Sequence, residues 1–101
     1  MRLGKVIGRV TLGKTAPEFD GARWLVVTPY NRGYFPDSPY PDDGRLSSDP
    51  SVVVYDNLGA GVGDTVGFIE GREAASPFSE RMAIDAISGV LVDKINYHPL
   101  P

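Results

Sequence analysis

Cysteine is absent from this chain of 101 residues, and histidine occurs once, as His98. No disulfide framework can form, and thiolate chemistry is excluded. A lone histidine without cysteine leaves no metal-ligand spacing, and there is no EF-hand loop. Grouped cations are missing too. The ten Lys and Arg residues are scattered among thirteen acidic ones, for a net charge of −3, whereas a phosphate backbone attracts clustered cations. Nor is there a long apolar run. The start, MRLGKVIGRV, lacks the apolar stretch of a signal peptide, and nothing approaches a membrane span. These absences predict a soluble intracellular protein with no metal, cofactor, nucleic-acid or membrane partner.

What the chain has in quantity is glycine and proline, 12 and 9 residues. That balance favours turns over long helices. The apolar pattern is that of strands. Leu3 to Leu12 alternates, with Val6, Gly8, Val10 and Leu12 on one face and Lys5, Ile7, Arg9 and Thr11 on the other. Gly4 and Gly8 inside it suggest bends or close backbone approach. Ala22 to Thr28 reads as a second strand, apolar on both faces, so it needs cover from a neighbouring element or another subunit. Trp24 fits either role, as an interface residue or a large core residue. Pro29 to Pro50 is aperiodic and holds Tyr30, Tyr34, Phe35 and Tyr40 among five prolines. It reads as an insertion packed on a surface. Ser51 to Tyr55 and Thr65 to Glu70 are the next strands. Gly71 to Arg81 allows a short helix limited by Pro77. Ala83 to Tyr97 is the last and longest strand, with Gly89 as a candidate bulge. One domain over 1–101 is expected: a mainly β, five-stranded, closed or partly open barrel.

The turn between the third and fourth strands is the most distinctive segment: Asp56-Asn57-Leu58-Gly59-Ala60-Gly61-Val62-Gly63-Asp64. A phosphate-binding glycine loop requires a helix after it, whose N-terminus supplies donors and dipole. Here a strand follows, and Asp64 puts negative charge where an anion would sit. The glycines are better read as allowing backbone to crowd against backbone.

Catalytic groupings are thin. His98 sits in a Pro-rich tail with no serine and carboxylate motif to join. Asp42-Asp43 precedes Gly44 and reads as turn chemistry. Asp85 and Asp93 on one regular strand would stand roughly 26 Å apart at ~3.3 Å per residue. A glycosidase pair spans at most about 9.5 Å. No enzyme is expected.

Three stretches together resemble the EutN/CcmL family of bacterial microcompartment vertex proteins. They are Met1 to Val10, the turn Asp56 to Asp64, and Ala83-Ile84-Asp85 through Val92-Asp93. They cover most of the chain outside Pro29–Pro50. That insertion departs from the family's short connection, and Ala74-Ala75-Ser76 departs from an Ala-Arg pair common in the family. The resemblance implies an OB-like, Greek-key barrel assembled as a cyclic homopentamer. It implies a structural role at the five-fold vertices of a microcompartment shell in the bacterial cytoplasm, beside hexagonal shell proteins. Gly59, Ala60 and Gly61 are then expected near the pentamer axis, and Trp24, Asp56 and Asn57 at the subunit interface. Two other readings stay open. An OB-type single-stranded nucleic-acid-binding module would use Trp24, Tyr55 and Arg23. A small enzyme would use Tyr34, Phe35 and Tyr40 beside Asp37, Asp42 and Asp43 as a lid over a sugar-like ligand.

Overall fold

Alternation of small β-branched residues with turn glycines produces five strands, and the strands close on themselves. The structure is a computed structural model that describes residues 1–30, 51–78 and 84–96. The strands are β1 (Arg2–Val10), β2 (Arg23–Pro29), β3 (Val52–Asp56), β4 (Thr65–Glu70) and β5 (Ala86–Val92). They form a closed barrel in the order β1-β2-β3-β5-β4, with β4 returning to β1. All pairings are antiparallel except β3 with β5, which run parallel and meet at Tyr55 and Ile87. This is the strand order of an OB-like Greek-key barrel. Closure removes the open edges that five separate strands would present.

The interior holds Val6, Leu25, Val27, Val54, Val66, Phe68 and Ala86, with Ala60 from the turn after β3. Burying a Val, Leu or Phe side chain stabilises by about 1.5–3 kcal/mol at most. Gly4 is dictated by this interior. A Cβ there would lie 2.5 Å from Val27 Cγ1 and 2.8 Å from the Thr28 carbonyl oxygen. A second, outer cluster covers the other face of β2, β3 and β5. Ala74, Ile84 and Ile87 form its centre, and Phe19, Trp24, Tyr55, Ile69 and Phe78 pack around them. Leu25 and Val27 on one face of β2 thereby enter the barrel and Trp24 on the other enters the outer cluster, while Val26 on that outer face belongs to neither.

Several boundaries differ from the sequence reading. β1 ends at Val10 rather than Leu12. Its register steps from Val6 opposite Val27 to Gly8 opposite Val26, so Ile7 is an extra, bulged residue. Val6 therefore shares a face with buried Val27, while Gly8 and Val10 stand opposite the half-buried Val26 and Trp24. They do not lie on one face as strict alternation predicts. Gly89 bulges as expected: Phe68 pairs with Ser88 and Gly67 with Val90. β5 is shorter than Ala83–Tyr97, spanning Ala86–Val92. Exposed Asp85 and Asp93 flank it instead of sitting within it. The expected helix is a 3-10 segment, Gly71–Ala75. Pro29 ends β2, buried, instead of opening the insertion. Tyr30 is anchored too: its N–H donates to the Leu3 carbonyl at 2.9 Å, and its hydroxyl bonds Thr65 Oγ1. The remainder of the insertion, residues 31–50, and His98 lie outside the described residues.

Candidate functional site

The turn from Asp56 to Asp64 is built around two carboxylates. Asp56 ends β3 opposite Arg23 on β2, and only 2% of it is exposed. Its side chain accepts hydrogen bonds from the backbone N–H groups of Leu58 (3.2 Å), Gly59 (3.0 Å) and Ala60 (3.1 Å). The Arg23 guanidinium adds a bond from Nη1 to Asp56 Oδ2 at 3.0 Å and one from Nη2 to the Ala60 carbonyl at 2.9 Å. The next N–H along, that of Gly61, donates to Asp64 Oδ2 at 2.8 Å. Four successive amides are thus held by the chain's own anions. Gly59 makes this curvature possible with φ +86°, a left-handed conformation disfavoured for residues bearing a Cβ. The far end of the turn is stitched to β1. The Gly63 N–H donates to the Val6 carbonyl and the Val6 N–H to the Asp64 carbonyl, both at 2.9 Å.

This geometry explains why a glycine-rich loop here is not a phosphate cradle. The amides that would face an external anion already face Asp56 and Asp64. Asp64 was the expected obstacle, but Asp56 takes three of the four N–H groups. The signal for it is local: an Asp side chain readily caps amides two or more residues on, especially before glycine. Arg23, its partner 33 residues away, carries no such signal.

The residues expected at an axis or interface separate into two groups. Gly59 and Asn57 are exposed and Gly61 is half-buried, so these present the turn's outer surface. Ala60 is fully buried, its methyl inside the barrel, and the Asp56 side chain is engaged within the subunit. Trp24 is half-buried and clamped edge-to-face between Phe19 (5.4 Å between ring centroids) and Tyr55 (5.5 Å). Tyr55 in turn meets Phe78 at 5.1 Å. The indole nitrogen is sealed from solvent without an acceptor among the described residues. A shallow cleft of about 200 Å³ lies beside it, between Arg9, Thr11, Thr15 and Phe19. With both rings engaged and Arg23 bound to the turn, the three residues named for a nucleic-acid platform serve internal packing. Among the described residues no three metal-ligating side chains gather. The aromatic and acidic residues named for a lid lie outside the described residues.

The outer wall is apolar where cover would be needed. Gly8, Val26 and Val53 stand in one row across β1, β2 and β3, and Ile7 lies beside them. Val53 is 50% exposed and Ile7 48%. On the turn, Val62 is 67% exposed and Leu58 44%.

Comparison with known proteins gives consistent results. Residues 1–93 match the family model described as ethanolamine utilisation protein EutN/carboxysome. The chain is similar to the GrpN pentameric microcompartment shell protein from Rhodospirillum rubrum, with 29% identity, a TM-score of 0.73, and 98% of this chain and 100% of that chain covered. It has the fold of CcmL from Gloeobacter violaceus, at 24% identity and TM-score 0.74, covering 96% of this chain and 90% of that one. EutN from Escherichia coli shares the fold at 22% identity and TM-score 0.74, covering 96% and 89%. The comparison with curated proteins finds no match.

Proposed function

The chain belongs to the EutN/CcmL family, and from that premise we propose that it is a structural subunit of a bacterial microcompartment shell. Five copies close into a ring that occupies a five-fold vertex of a shell lying in the bacterial cytoplasm. Its immediate neighbours are hexagonal shell proteins along the rim. The observation that carries this reading is the end-to-end similarity to a protein described as a pentameric microcompartment shell protein. The role is mechanical and not catalytic.

Physical features support the ring. A cyclic pentamer uses a heterologous contact, in which two different patches of one subunit meet on its neighbours. The exposed row around Val53 and the exposed turn residues Leu58 and Val62 offer apolar surface for that purpose. In the proposed ring Gly59, Ala60 and Gly61 surround the axis. Gly59 and Gly61 supply the approaching backbone, and Ala60 pins the segment to its own barrel. Asn57 lies at the subunit contact, with Asp56 shaping that contact from beneath and Trp24 supporting it from the outer cluster. At Gly61 the subunit itself imposes little: a Cβ would meet only Asp64 Oδ2, at 4.0 Å. Absence of a side chain there is therefore available for contact between copies.

Co-expression with hexagonal shell proteins tests the role. Closed icosahedral particles that contain this chain as a minor component are expected. Particles that close without it, or that exclude it, would overturn the assignment.

A further inference from the structure

We infer that the Asp56–Asp64 turn is an anion-binding nest whose resident anion is the chain's own Asp56 carboxylate, and that a free small carboxylate can take its place when that side chain is removed. Consecutive backbone N–H groups curved by one left-handed residue form an anion-binding concavity. Here Leu58, Gly59 and Ala60 supply the amides and Gly59 the curvature, with φ +86°. The Arg23 guanidinium closes the concavity, contacting both Asp56 Oδ2 and the Ala60 carbonyl. Four donors, three backbone amides and one guanidinium, converge on one fully buried carboxylate. They constitute a receptor for a planar, singly charged oxyanion, and its tether is a single methylene group. Charge-assisted bonds of this type are the strong ones, and the Ala60 N–H among these donors is buried, so leaving it without an acceptor is costly.

Deleting the side chain as Asp56→Gly leaves three amides and one guanidinium around an empty space of carboxylate size. Formate matches that space in charge, planarity and number of acceptor oxygens. The link to ring closure rests on the reading above, because the nest shapes the Gly59–Gly61 segment placed at the axis. The nest itself belongs to one subunit, so its test does not depend on assembly.

The experiment compares wild type, Asp56→Gly and Asp56→Asn in sodium formate and in sodium chloride of equal ionic strength. Melting temperature and solution mass are both read. Asp56→Gly should melt lower than wild type by on the order of 10 °C or more in chloride. Formate should raise that value in a saturable way and shift the mass toward that of wild type. Asp56→Asn fills the space, so it should be destabilised with no specific formate response; wild type should also show none. If Asp56→Gly does not fold in chloride, refolding into formate should recover it. Equal melting in formate and chloride, or no recovery on refolding, would overturn the nest. A wild type that is not pentameric would overturn the ring reading and leave the formate response interpretable.

Discussion

Single atoms decide two glycine positions in opposite ways. At Gly4 the missing Cβ would overlap Val27 Cγ1 and the Thr28 carbonyl. Gly4→Ala should therefore cost about 1–3 kcal/mol, the usual range for overpacking a close-packed interior. Urea unfolding checks this, and a variant as stable as wild type would show that the β1–β2 pair can spread at no cost. At Gly61 a Cβ would meet only Asp64 Oδ2, at 4.0 Å, so the subunit by itself leaves room for an added methyl group. Sequence text alone ranks these glycines equally, because the difference lies in what the fold brings near each. Asp56 is similar. Its presence in a turn is legible, but its burial and its Arg23 partner come from barrel closure. Its side chain is engaged within the subunit, and in the proposed ring it shapes the subunit contact from beneath.

Among the elements, β4 is read from the sequence with its observed bounds, because Thr65 to Glu70 is a short apolar run between two turn regions. The bulge in β5 is also legible, since Gly89 marks it. The bulge at Ile7 is not: nothing in a β-branched residue announces that it stands outside the ladder, and Gly8 beside it shows only where the strand can bend. The outer cluster depends on contacts between residues far apart in sequence, among them Phe19, Trp24, Tyr55 and Phe78. Aromatic edge-to-face pairs contribute about 0.5–1.5 kcal/mol each beyond area burial. Tyr55→Leu removes two of them and should cost about 1–3 kcal/mol. Trp24 is the only tryptophan, so its fluorescence follows both the altered packing and the urea transition. An unchanged midpoint and emission would mean the cluster merely covers β3 without stabilising it.

For the whole molecule, the barrel by itself does not name a function, since OB-like barrels serve many. Family membership and the similarity to a pentameric shell protein direct the reading toward assembly. The structure then supplies a subunit whose distinctive loop has its amides taken up by its own carboxylates, with open space at Gly61. The most direct test is the solution mass of wild type and of Gly61→Glu by light scattering, with circular dichroism confirming that both barrels are folded. The account predicts a wild type of five chain masses and a folded Gly61→Glu of lower mass, because five added side chains and charges would crowd one axis. A wild type that stays monomeric at every concentration, or a Gly61→Glu variant that retains five chains, would contradict it.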